Sequence, residues 1–435
     1  MIQRLKNLSV IERKTFFLHF IYSIIEGIIA GALALNEFVL IKSLKGNDYQ
    51  VGFLVQFGVM VLVFSMLFNE FVKRSTNKKL LLKKVALLTR LPLLLFIVFP
   101  FAPASAHSYF QYLFLIIFLV YFLANPIVIP AINVLLKNNY SHDNFGNLYG
   151  YNTIINKIVI LAITFVFGFL LDYDNQAFVY VYPVLGILGI VSIIILSQID
   201  YTPVSIPATV KSYSETIKDS VKNMLSILKQ NKPFADFERG FMYYGFAWLL
   251  TSAVIAIFFE KALGLNYSSI AFYKNGYNIL SIMLLPYFGK LIGKIDPRKF
   301  AAITFLSMLL FLLFMGLTEF FPYYTTLWGI KIYYFLLLSH ISYGVFAATM
   351  ALLWYIGSAY FCKESEVSEY QSIHLTLTGV RGLFAPLLGV WMYNLLGFAG
   401  VFGIGVLFLA YAIYLMLKSM ANKKLDLIDA AVKAA

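Results

Sequence analysis

Apolar positions along the chain form long unbroken runs. They lie at roughly 15–43, 50–70, 80–102, 108–134, 148–171 and 177–198, then at 237–260, 268–292, 300–321, 329–357, 368–395 and 398–419. A helix needs about 20 such residues to cross a hydrocarbon core. Membrane β-strands would instead alternate apolar and polar residues. The pattern therefore predicts an all-α polytopic membrane protein with twelve transmembrane helices. It divides into six spans over 1–199, a linker over 200–236, and six more spans with a short tail over 237–435. The runs at 15–43 and 329–357 exceed a straight span and predict tilt or extension beyond the lipid.

The polar interruption has its own period. Val210, Tyr213, Ile217, Val221, Met224, Leu225 and Leu228 recur at three- and four-residue spacing, with lysines on the other face. This predicts an amphipathic helix on the membrane surface. Pro207 and Pro233 stand near its ends, as in a linker between two halves. Basic residues set the orientation. With the N-terminus inside, 25 of the 34 Lys and Arg fall in inner loops and tails, and four (Lys42, Lys45, Lys261, Lys331) fall outside. This segregation predicts both termini on the cytoplasmic side.

Composition narrows the class further. The 435 residues are 60% hydrophobic and 13% charged, against about 25% charged in a soluble domain. That excludes a soluble enzyme, a secreted disulfide scaffold and a disordered chain. The net charge of +13 belongs to the basic inner loops, so nucleic acid is not an expected partner. Cys362 is the single cysteine and permits neither an intrachain disulfide nor a metal cluster. The first apolar run is too long for a signal-peptide core. No Walker A, HExxH or Gly-x-Ser-x-Gly sequence occurs, so neither ATP hydrolysis nor a cofactor is expected.

Two motifs add to the six-linker-six pattern. Between spans eight and nine the chain reads Gly289-Lys-Leu-Ile-Gly293-Lys294-Ile-Asp296-Pro297-Arg298-Lys299. Between spans two and three it reads Asn69-Glu70-Phe71-Val72-Lys73-Arg74-Ser75-Thr76-Asn77-Lys78. In span eleven, Gly379-Val-Arg381-Gly382-Leu-Phe-Ala-Pro386-Leu-Leu-Gly389 is rich in small residues. The whole resembles the major facilitator superfamily, whose loop signature is Gly-x-x-x-Asp-Arg/Lys-x-Gly-Arg/Lys-Arg/Lys. Gly289, Lys294 and Arg298 match that signature in the second half. Only Arg74 and Lys78 match it in the first. The resemblance implies two pseudo-symmetric bundles around a cavity that opens alternately to each side, with substrate near the midplane. It also implies gating roles for Arg74, Gly289, Lys294 and Arg298, and a monomer.

Ionisable residues inside spans need a partner, a cavity or a route to the interface. Glu26 lies near mid-bilayer in span one, where a carboxyl could carry a proton or sit in a static ion pair. Arg381 and His374 lie in span eleven, and Arg381 is placed to bind an anionic group or to pair with Glu26. Lys157 in span five is a second anion contact or a snorkelling lysine. Arg90 in span three reads as a structural partner. Lys274, Tyr277 and Asn278 form a polar patch in span eight, and Tyr22 and Asn125 add polarity in spans one and four. Glu238 and Arg239 read as an interfacial pair at the start of span seven. His340 reads as packing. The deep positive charges Arg90, Lys157, Lys274 and Arg381 outnumber the deep carboxylate Glu26, which favours an anionic or zwitterionic solute.

The resulting expectation is a secondary active transporter of the bacterial inner membrane. It would move a small organic solute by alternating access and couple to protons, with sodium as the other candidate ion. A lipid or lysolipid translocator of the same fold is the alternative. A polytopic membrane enzyme and a non-transporting sensor are the alternatives of another class.

Overall fold

A computed structural model describes residues 8–64, 75, 77–99, 108–201, 213–362 and 366–422. Span one starts where Ser9 and Glu12 exchange side-chain and backbone hydrogen bonds in a capping box. It runs Val10–Leu33, turns at Ala34 and Leu35, and ends in a short helix Asn36–Phe38 and a π-turn Val39–Ser43. The long first run is thus a bent helix. Span two is Asp48–Met60, tightened over Val61–Phe64. Span three is Lys78–Arg90, capped by Asn77. It narrows to a 3₁₀ helix over Leu91–Val98, because Pro92 donates no N–H to the α-ladder. Span four breaks between Ser108–Phe122 and Asn125–Asn139, just before Pro126. Spans five and six are His142–Tyr173 and Phe178–Leu196.

In the second half, span seven is Lys232–Ile257, capped by Asn231 and extended by a π-turn Phe258–Ala262. Span eight is Tyr267–Ile292, capped by Asn266, and span nine is Pro297–Phe320, capped by Asp296. Span ten is Tyr334–Ile356. Span eleven comprises Val367–Gly382 and the start of Ala385–Asn422, and a bend at Gly397, whose φ is 70°, separates it from span twelve. The chain is therefore helical with twelve spans. Among the described residues, eight stretches meet the length and apolarity of a membrane crossing unaided, the last of them holding both spans eleven and twelve.

The apolar run at 329–357 is not one helix. Tyr324–Leu327 (β1) pairs antiparallel with Ile330–Tyr333 (β2), in the register Tyr324↔Tyr333 and Leu327↔Ile330. Trp328 (φ 50°) and Gly329 (φ 78°) make the two-residue turn, whose positive φ values suit the twist of a hairpin. Hydrogen bonds dock β2 onto span eight: Lys331 N donates to Ser269 Oγ (2.9 Å) and Tyr333 N to Tyr273 OH (2.8 Å).

The linker helix is Tyr213–Gln230. Val221 and Leu225 are exposed on it, as are Lys218, Lys222 and Lys229, and Asn223 bonds to Glu369. Val210 and Pro207 lie outside the described residues.

Contacts divide the chain into two units, residues 1–50 with 64–213, and residues 51–63 with 214–435. In the first unit, span one lies directly on span five. A Cβ on Gly27 would meet Val159 Cβ at 2.9 Å, and one on Gly31 would meet Ile160 O at 2.9 Å. Asn156 donates to Ser23 O (2.8 Å) and Thr164 to Gly31 O (2.7 Å) across the same seam. Small residues make such approaches, which matter where lipid offers no hydrophobic drive between helices. In the second unit, span eleven meets span seven so closely that a Cβ on Gly389 would overlap the Leu250 carbonyl. Residues 51–63 join this unit by packing along span eleven, where Gln56 donates to Leu383 O (2.7 Å).

Candidate functional site

Each unit buries its own set of charges. In the first, Glu26 is half-buried midway along span one, and Ser192 Oγ of span six donates to its Oε1 at 2.6 Å. Arg90 of span three is the cation that acts on it electrostatically. The Arg90 guanidinium lies 4.0 Å over the Tyr121 ring and donates to Tyr121 O (3.3 Å), while its buried Nε has no partner. Tyr22 is half-buried, feels both Glu26 and Arg90, and stacks on His19. One turn toward the linker side, His19 Nδ1 meets the Asn152 amide at 2.7 Å and Tyr140 OH at 3.2 Å.

In the second unit, His374 Nδ1 lies 3.0 and 3.2 Å from the two oxygens of Glu238. Their side chains are 2% and 3% exposed. Phe241 and Trp354 close on the imidazole edge-on, at 4.8 and 4.7 Å between ring centroids. Its Nε2 is buried without a partner. Two turns on, Arg381 donates to Phe241 O and to Thr378 Oγ1 (3.0 Å), with the Tyr244 ring 6.0 Å away. Its guanidinium fills the space a side chain on Gly245 would need. Its Nε keeps a free donor. A guanidinium stays charged in any environment, and Glu238 is the carboxylate that acts on it.

Within the units the two seams correspond. Span five brings Asn152 to His19 and Val159 to Gly27, and span eleven brings His374 to Glu238 and Arg381 to Gly245. The sequence offsets are close: 152 to 374 and 159 to 381 are both 222, while 19 to 238 is 219 and 27 to 245 is 218. The second unit thus carries titratable and cationic groups at positions where the first carries an amide and a valine.

Other expected residues fall as follows. Lys157 is half-buried in span five, and no hydrogen bond or ion pair reaches it among the described residues. Asn125 is half-buried at the restart of span four. Lys274 is half-buried, Tyr277 abuts Tyr343, and Asn278 donates to Asn275 Oδ1 (3.2 Å). Gly289 and Lys294 are exposed, and Arg74 lies outside the described residues. Arg298 is fully buried. It pairs with Asp296 (2.7 Å) and donates to Ser419 O (2.8 Å), and Ser419 Oγ reaches Asp236 (3.1 Å). These bonds staple spans nine, twelve and seven of one unit together. Glu26 meets Ser192 and Arg90 of its own unit.

The expected pairing of Glu238 with Arg239 does not form. Adjacent helical residues point apart: Arg239 bonds to Asp236 (3.1 Å), and Glu238 turns inward to His374. The signal was present in the spacing, since Glu238 falls on the buried stripe Phe234, Phe237, Phe241 and Tyr244.

Residues 15–361 match the sequence profile of the Major Facilitator Superfamily. No curated protein sequence matches the chain. Solved structures share its fold. The nucleoside transporter NupG is 15% identical with a TM-score of 0.64, covering 95% of this chain and 99% of its own. A POT family transporter in complex with 5-aminolevulinic acid is 12% identical at 0.67, covering 93% and 95%. The xylose transporter XylE from E. coli is 11% identical at 0.64, covering 96% and 98%. On the profile match the chain belongs to the Major Facilitator Superfamily, and it is a multi-pass membrane transporter rather than an enzyme.

Proposed function

We propose that the chain is a proton-coupled secondary transporter of a small organic anion or zwitterion, working by alternating access. The observation that carries this reading is the unequal use of deep charge. Arg381 and Arg90 each keep an unpartnered buried Nε, and Lys157 has no partner among the described residues. Free cationic donors at membrane depth suit a solute carboxylate or phosphate, which supplies the missing acceptors on binding. Glu26, half-buried between Ser192 and the field of Arg90, is the proton carrier in this reading. The basic inner loops support a reading with both termini in the cytoplasm, in the bacterial inner membrane and with the transporter working as a monomer. Proteoliposome uptake of labelled organic anions, zwitterions and cations tests the charge preference. Anions or zwitterions should accumulate, with uptake lost in Arg381→Gln. Accumulation of cations alone, or unchanged anion uptake in Arg381→Gln, contradicts the reading.

An apolar cavity of about 260 Å³ between spans one, five and six, lined by Ile28, Ile163, Phe167, Val184 and Leu188, fits a hydrocarbon chain. It favours the second reading, an amphiphile translocator.

A further inference from the structure

Four spans of the second unit converge on a cluster of rings at mid-membrane. Trp248 stands at the middle of Lys232–Ala262, Tyr277 near the middle of Tyr267–Ile292, and Tyr343 near the middle of Tyr334–Ile356. The Trp248 indole stacks on Tyr343, with centroids 5.6 Å apart and planes at 23°. Tyr277 meets Tyr343 edge-on at 4.5 Å. Phe311 of span nine and Phe346 back the Tyr343 ring at 4.8 and 5.2 Å.

Phe346 is buried, whereas Trp248, Tyr277 and Tyr343 are partly exposed. The Trp248 indole N–H meets no acceptor among the described residues. Trp and Tyr in membrane proteins concentrate at the two interfaces. Polar groups held at the midplane face the protein interior or a water-filled path. A partly exposed triad of polar rings at this depth, with a spare indole N–H on one of them, is therefore built to meet a solute.

We infer that Trp248, Tyr277 and Tyr343 form a stacking subsite for a planar unsaturated ring that carries hydrogen-bond acceptors. Flat π-faces stack on any aromatic face, whatever its substituents. The unpartnered Trp248 N–H would read an acceptor at the ring edge. A saturated ring or an aliphatic chain gains neither. This inference rests on the transporter reading above and names the class of solute it takes: an aryl or heteroaromatic acid.

Matched probes test it on the purified full-length protein, by thermal shift and tryptophan emission. The pairs are benzoate against cyclohexanecarboxylate, and nicotinate against piperidine-3-carboxylate. An aromatic member should bind saturably and at least tenfold more tightly than its saturated partner. Trp248→Leu should weaken that binding at least tenfold, and Trp248→Phe, which keeps a π-face, should retain most of it. Equal binding of both members of each pair overturns the inference. So does undiminished ring binding in a folded Trp248→Leu variant, and so does the absence of ring binding in wild type. If cyclohexanecarboxylate binds, or is taken up, in an Arg381-dependent way while the rings do not, the transporter reading stands and the aromatic subsite falls.

Discussion

Consider removing either half of the buried pair that joins spans seven and eleven. Glu238 and His374 are 3% and 2% exposed and approach to 3.0 Å, so neither can recover water when the other is cut away. Glu238→Leu strands His374, whose Nε2 already has no partner, and removes the carboxylate that acts on Arg381. His374→Leu leaves the carboxylate buried, with Arg381 as the acting cation. Breaking a buried pair from one side costs about 3–5 kcal/mol, most of it the stranded partner. For a unit of this size that is roughly 6–20 °C in the thermal midpoint. The double variant Glu238→Leu/His374→Leu strands neither member of the pair, so its cost should fall short of the sum by about 1–3 kcal/mol. Differential scanning fluorimetry in one detergent reads all four proteins. Single variants within a degree of wild type, or a double variant equal to the sum, would show that the pair does not hold the two spans together.

Three further outcomes follow from local geometry. Cys362 lies outside the spans, and burial, with Glu366 nearby, pushes its thiol up to about 11. Since the thiolate is the nucleophile, alkylation at pH 8 should run roughly a hundredfold slower than for a free thiol near 8.5. The rate should climb about tenfold per pH unit toward 11, and mass spectrometry reads it at one site because the chain has one cysteine. Gly389→Ala drives a Cβ into the Leu250 carbonyl and should cost about 1–3 kcal/mol by overpacking, whereas Gly403→Ala, with nothing within 4 Å, should leave the melting temperature unchanged or higher. Trp328 holds φ 50° while 86% exposed, so Trp328→Asn, which suits a left-handed turn before Gly329, should stabilise the protein by about 0.5–1 kcal/mol in the same assay.

The spans were legible because a bilayer demands continuous apolar length, and no other local structure meets that demand. The two overlong runs carried real information that length alone could not divide. Residues 15–43 hold a turn at Ala34 and Leu35. The run 329–357 begins with β2, whose Ile330, Ile332 and Tyr333 read as helix because they continue into Tyr334 without a polar break. Burial of the charges was legible in the same way, but their partners were not. Glu26 finds Ser192 at a separation of 166 residues, and His374 finds Glu238 at 136. No local spacing encodes such contacts. Arg298 shows the complementary limit, because the loop signature located a special arginine while its bonds to Asp296 and Ser419 made it a staple within one unit. The aromatic triad escaped notice for a simpler reason. Among 30 Tyr, 42 Phe and 4 Trp, nothing in composition separates a stacking platform from core.

The central claim is that charged solute moves with protons through a carboxylate at the middle of span one. Its most direct test is proton flux in proteoliposomes loaded with a pH-sensitive dye, with wild type beside Glu26→Gln. Pools of organic anions, zwitterions and cations are added in turn. The account predicts a substrate-dependent pH change with anions or zwitterions that disappears in Glu26→Gln, while the variant still binds the solute. A variant that couples as well as wild type would make Glu26 a structural residue held by Ser192 and Arg90. If no pool moves protons, proton coupling itself is contradicted.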